Sequence, residues 1–229
     1  MKTKPLLTAA LVLLWYPAVA ADSATYTPGL VVPDNDLNGV SDTENFSSSI
    51  QSISDIQISL DISGGFDGDL YAYLRHNNTG FAVLLNRVGR TAGNSFGSTD
   101  SGFNITLSSS AASDVHGAPS GSGPLTGTWQ PDGRNFDPLN SLNSTPRTAL
   151  LDSFDGMAAS GNWTLFVADT SPVGVATLQD WTLTVTGVPE PSSAYLWLLI
   201  LAMIGTIACR KSRPGKQQRS RPNTRTAPV

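Results

Sequence analysis

Carboxylates are the residues of this chain best placed to do chemistry. Asp34-x-Asp36-x-Asn38-Gly39 sets oxygen donors at alternate positions and follows them with a glycine for a sharp turn, which is how a calcium loop begins. The string departs from such a loop at its end, where Asn45 stands in place of the bidentate acid and Glu44 comes one place early. Its alternative is a turn in which Asp and Asn side chains bond their own backbone. Asp67 and Asp69 flank Gly68 in a second tight turn. Two carboxylates so close repel one another unless a cation or solvent screens them, and with Asp100 or Asp169 from another loop they would form a second calcium site. Calcium bound there would be structural, in a domain without disulfides, and a solvated turn is the alternative.

A nucleophile-like string, Gly93-Asn94-Ser95-Phe96-Gly97, fits G-x-S-x-G. A working nucleophile elbow needs a strand leading in, a helix leading out, and an acid and a histidine to follow. Here the flanks are turn-like, no helix is expected, and the chain has two histidines, His76 and His116. The expectation is therefore a chain without catalytic residues.

The elements that must position these groups are strands. Residues 56–62 and 70–74 alternate apolar and polar side chains, with 64–68 as a glycine-rich turn between them. Residues 81–85, 103–107, 163–167 and 181–185 supply further strands, separated by Gly, Pro and Asn clusters. Trp163 with Leu165, and Trp181 with Leu183, share strand faces and would stack across one core. Residues 108–125 and 132–143 have little apolar to bury and read as long surface loops. The fold expected is an all-β, jelly-roll-like β-sandwich over 31–187, after a lead-in over 21–30.

The two ends describe delivery. Lys2 and Lys4 precede an apolar stretch, and Ala18-Val19-Ala20 supplies the small residues a signal peptidase needs, so 1–20 is expected to be a cleavable signal peptide and Ala21 the first mature residue. Val188-Pro189-Glu190-Pro191 opens a linker over 188–193. The apolar run 194–209 that follows would cover roughly 24 Å as a helix, slightly under a usual bilayer core, and is expected to be a transmembrane helix. The basic tail 210–229 then stays in the cytoplasm by the positive-inside rule. The net charge of -4 hides a strongly acidic central segment, whose basic residues are Arg75, Arg87, Arg90, Arg134 and Arg147. Such a surface repels nucleic acid and attracts cations. The single cysteine, Cys209, leaves no disulfide to brace that segment.

Two resemblances follow. The Val188 to Pro191 motif, the apolar run and the basic tail, in that order, resemble the PEP-CTERM sorting signal of Gram-negative bacteria that make extracellular polysaccharide. That resemblance implies recognition by an exosortase, a membrane-embedded cysteine protease, and cleavage near the Pro-Glu-Pro.

The domain itself resembles the P domain that follows the catalytic domain of kexin-like and other subtilisin-like proprotein convertases. The resemblance rests on Val32-Pro33-Asp34-Asn35-Asp36-Leu37-Asn38-Gly39, Asp67-Gly68-Asp69-Leu70, Leu151-Asp152-Ser153-Phe154-Asp155-Gly156, Gly161-Asn162-Trp163-Thr164-Leu165 and Thr177-Leu178-Gln179-Asp180-Trp181-Thr182-Leu183. The chain departs from the family at Ile62-Ser63-Gly64-Gly65, where a histidine commonly stands. The resemblance implies a β-sandwich that binds or braces rather than catalyses, since no protease domain accompanies it. The expected protein is exported and displayed on the cell surface or released into an exopolysaccharide matrix, with a matrix glycan or protein as partner. The alternative is an accessory module of a subtilisin-like protease system.

Overall fold

The structure, a computed structural model, describes residues 19–189 apart from 78 and 122. Residues 1–18 and 190–229 lie outside the described residues, and with them nearly all of the expected signal peptide, the expected transmembrane helix, the basic tail, Glu190 and Pro191. Among the described residues no helix is long and apolar enough to cross a membrane.

Ten strands follow in chain order: β1 (Ala20–Tyr26), β2 (Leu30–Val32), β3 (Asp36–Phe46), β4 (Ile50–Gly64), β5 (Leu70–His76), β6 (Gly80–Asn86), β7 (Phe103–Ser108), β8 (Leu125–Trp129), β9 (Gly161–Asp169) and β10 (Ala176–Pro189). One sheet runs β1-β10-β4-β7-β8, with β2 also on β10, and the other runs β3-β9-β5-β6. Without β8, a parallel edge strand on β7, these orders are those of a jelly roll. Every strand foreseen from alternation is present. Four were not foreseen: β1, β2, β3 and β8. The segment 21–30, expected as a lead-in, mostly forms β1, which pairs along β10 from Ala20 opposite Gly187 to Tyr26 opposite Trp181. At the other end Val188 and Pro189, expected to open the linker, are the last residues of β10 and pair with Ser52 and Ile50.

The core forms because alternate side chains of the two sheets face each other. Ile56, Ile58, Leu60 and Ile62 of β4 meet Leu70, Leu74, Leu165 and Val167 of the opposite sheet in one buried cluster. Ile53 and Ile56 are three apart yet both buried, because the pairing with β10 slips there by a bulge. Trp163 and Trp181 are both sealed in this core, but their rings do not use each other. Trp163 stacks on His76 at 4.1 Å between centroids, whereas Trp181 leans on Tyr26 at 4.6 Å. Trp181 Nε1 also donates to Asp42 Oδ2 at 2.7 Å. Gly39 permits the bulge in β3: at φ +50° it lies where a Cβ would run into the Val167 carbonyl.

The two segments expected as surface loops hold no strand between β7 and β8 or over 132–143 and are largely exposed, but each carries residues that are not at the surface. Val115, His116 and Ala118 in the first, and Asp132, Arg134 and Ser141 in the second, are buried. Polar pairing replaces the missing apolar contacts. Asp132 is fully buried, with His116 Nδ1 at 2.8 Å from its Oδ2 and Arg134 Nη1 at 3.2 Å from its Oδ1. His116 Nε2 reaches the Arg90 carbonyl oxygen at 2.8 Å. Arg134 and Arg147 both approach Asp114, and Arg147 donates to the carbonyls of Pro131 and Asp132. The backbone of Asp132 and Gly133 in turn donates to Leu84 and Val83 and covers the edge of β6.

Removing Asp132 would leave a buried imidazole and a buried guanidinium without their shared partner. Asp132→Ala is expected to cost about 3–5 kcal/mol of stability in urea unfolding. Limited trypsin digestion should then cut at Arg134 or Arg147, sites protected in the parent protein.

Candidate functional site

The sequence-derived acidic residues separate into three places. Asp36 and Asn38 bond each other: Asp36 Oδ1 accepts from the Asn38 amide at 2.9 Å and from its side chain at 2.8 Å. This is the self-bonded turn that was the alternative to a calcium loop. Asp67 lies in a short 3-10 turn (Asp67–Asp69) and its Oδ1 accepts from the Gly102 amide at 2.9 Å. Burial pushes its carboxyl up to about 7, with the nearby Asp100 adding to the rise and the Gly102 bond opposing it.

Asp34, Asp69 and Asp169 form the third group. Asp69 is held at the end of the same 3-10 turn, and Asp169 ends β9 opposite Leu70. Burial raises both carboxyls, Asp169 to about 6, and Asp34 raises each further by repulsion. Asp169 is fully buried, and its Oδ1 accepts from the Ser171 amide at 3.0 Å while its Oδ2 has no partner. A buried carboxylate oxygen left unpaired carries a desolvation cost that a cation would remove.

Arg87 is the resident counter-charge. Its Nη2 lies 3.5 Å from Asp69 Oδ1, its Nε donates to the Gly68 carbonyl at 2.8 Å, and Ser171 Oγ accepts at 3.3 Å. Only its place on the short list of basic residues could have drawn attention to it in the sequence. Among the described residues no three His, Cys, Asp or Glu side chains converge closely enough to hold a metal ion as they stand. A calcium ion at Asp34, Asp69 and Asp169 would therefore need the carboxylates to draw in and backbone oxygens or water to complete the shell.

Backbone strain collects around the same three carboxylates. Asn35, Arg87 and Val173 all have positive φ, at 52°, 58° and 79°, a region that β-branched Val173 in particular avoids. Two of them are tied directly to an acid, since Arg87 pairs with Asp69 and the Val173 amide donates to Asp34 Oδ2 at 3.3 Å, and Asn35 follows Asp34 in the chain. Such strain persists where surrounding contacts impose it, and it concentrates at functional sites.

Ser95 has no catalytic base. It sits on an exposed bend just after the turn closed by Thr91 and Asn94, and the Asn94 side chain spans that bend by bonding the Gly97 backbone. Both nitrogens of His116 are engaged, by Asp132 and by the Arg90 carbonyl. His76 is packed under Trp163, where burial lowers its pKa, and its Nε2 meets Asn77 and the Ser160 carbonyl.

A carboxyl whose folded pKa is raised favours the folded state when protonated. That contribution is complete below about pH 4 and is lost as pH climbs through the raised value. With chelator present, stability is expected to fall between about pH 4 and pH 7 from Asp67, with the share from Asp169 lost by about pH 6. Asp67→Asn keeps an acceptor for Gly102. Thermal melts across this range should show a shallower decline for the variant and a higher Tm than the parent at pH 8; parallel curves would contradict the assignment.

Residues 132–185 match the sequence profile of the Proprotein convertase P-domain. This stretch holds Asp132 and Arg134 of the loop network, Trp163, Asp169 and Trp181. No curated protein matches the chain. Among solved structures, the serine protease of Aeromonas sobria in complex with the chaperone is similar at 14% identity and a TM-score of 0.43, over 76% of this chain and 28% of that one. The serine protease of Aeromonas sobria alone is similar at 14% identity and a TM-score of 0.42, over 75% of this chain and 28% of that one. The chain thus spans well under a third of the length of either protease, and what it shares with the Proprotein convertase P-domain profile is the stretch that ends in its last two core strands.

Proposed function

We propose that this chain is an exported, non-catalytic P-domain module that acts by binding or structure, sorted by an exosortase to the cell surface or the exopolysaccharide matrix. The observation that carries the non-catalytic part is the profile match over 132–185 in a chain whose two imidazoles are both packed internally. The sorting part rests on Val188-Pro189-Glu190-Pro191, the apolar run and the basic tail. A second reading, an accessory module of a subtilisin-like protease system, draws on the same match, because the matched family is named for proprotein convertases. A stable complex with an endogenous protease would favour that reading over the first.

The deciding measurement is the intact mass of the mature protein, taken separately from membrane and medium of the native host. The expected form begins at Ala21 and ends within 189–193. A form that keeps Arg210 and the residues after it would overturn the sorting reading and leave an ordinary membrane-anchored module.

Calcium in this reading is structural and lies at Asp34, Asp69 and Asp169, where the unpaired Asp169 Oδ2 supports it. Binding to the folded state alone raises apparent stability by mass action. Millimolar calcium is expected to raise Tm relative to chelator. Asp169→Asn should raise Tm in chelator and erase the calcium increment, and an increment of equal size in both proteins would remove calcium from this site.

A further inference from the structure

Beside the acidic group lies a narrow slot of about 270 Å³, lined by Phe66, Asp69, Phe96, Ser98, Ser171 and Pro172, with Thr99 at its edge. Its position follows from close backbone packing. The Gly68 amide donates to the Ser98 carbonyl at 2.9 Å, and a Cβ on Gly68 would collide with the Phe96 carbonyl, so the 3-10 turn and the 95–98 loop stand as two facing walls. The third wall, Ser171 and Pro172, comes from the loop that holds strained Val173.

The lining joins two chemistries that seldom meet without reason. Phe66 and Phe96 are exposed, Phe96 by 75% of its surface, yet neither is needed by the core. Between them Asp69 is only 6% exposed, so its carboxylate sits at the bottom of an apolar slot. The surroundings are acidic, with Asp34 close enough to raise the Asp69 pKa and Asp69 close enough to raise that of Asp169. The nearby basic side chains are spent internally: Arg87 on Asp69 and three other acceptors, Arg90 on the carbonyls of Ser95, Pro138 and Ser141. Flat aromatic rings over a recessed carboxylate complement a planar cation with an aliphatic stem, and the volume admits one such side chain.

We propose that this slot receives a single arginine side chain from a partner polypeptide. Its methylenes lie along Phe66 and Phe96, and its guanidinium reaches Asp69 and the Ser98 and Ser171 hydroxyls. The proposal deepens the binding reading by naming a ligand class, and it does not depend on sorting or on calcium. Since a calcium ion and a guanidinium would both draw on Asp69, the test is made in chelator.

The probe is acetyl-Gly-Arg-Gly-amide at millimolar concentration, observed by saturation-transfer difference NMR on the full chain in detergent micelles. Transfer to the arginine side-chain protons is expected, roughly two- to fivefold weaker for Phe96→Ala, and absent for the same peptide carrying citrulline. Phe96 is exposed, so that variant tests the slot without disturbing the core; Asp69→Asn is the second test and should abolish the difference between arginine and citrulline. Equal transfer to both peptides on the parent protein, undiminished transfer with Phe96→Ala, or no transfer at all would each overturn the proposal.

Discussion

A carboxylate withdrawn from water cannot stand alone, and the order of both long loops of this domain depends on how Asp132 satisfies that requirement. His116 and Arg134 close on its two oxygens, and each belongs to a stretch too poor in apolar residues to fold by hydrophobic burial. The network supplies what a hydrophobic loop would obtain from packing, and its partners are specific, so it fixes one arrangement rather than many. Through the Arg90 carbonyl it also anchors the start of the 91–98 turn, and through the Asp132 and Gly133 amides it covers the edge of β6. The slot between Phe66 and Phe96 inherits its shape from that anchoring.

The second polar group is built on a different principle. Around Asp132 opposite charges are matched, whereas Asp34, Asp69 and Asp169 outnumber their one close guanidinium, and three residues with positive φ are held against them. An excess of one charge and a strained backbone in the same place are both unfavourable to folding, and neither is required by the sandwich. Their coincidence is why the proposed calcium and the proposed arginine are both assigned to this group rather than to the matched charges around Asp132.

How much of this was legible in the sequence depended on the size of the side chains involved. Strands β4, β5, β7, β9 and β10 announce themselves because large apolar residues alternate on their inner faces. Strand β1 does not: its half-buried face is Ala20, Asp22, Ala24 and Tyr26, with one large side chain among them, and it is set by pairing with β10. Strand β3 hides behind an Asp- and Asn-rich composition that reads as turn, because as an edge strand it needs only one well-packed face. Among the site residues, Asp69 was legible from its turn and Asp169 as one of its two candidate partners, but the approach of Asp34, read as part of a separate string, exists only once β9 lies beside β5 and β3. The burial of His116, Asp132 and Arg134 left no trace in hydropathy, since polar residues that pair in the interior look the same as polar residues in water.

The pairing of β1 with β10 also bears on the order in which the molecule can assemble. Ala20 lies opposite Gly187, so the first strand of the domain has no neighbour until the last has been made. Strand β2 likewise pairs only with β10, and β4, though it also pairs with β7, waits for β10 to cover its other edge. Contacts so distant along the chain make folding slow and leave strand edges open in the interval. The nascent chain therefore stays unclosed until its final strand arrives, a state suited to passage through a narrow conduit and hazardous in a crowded compartment.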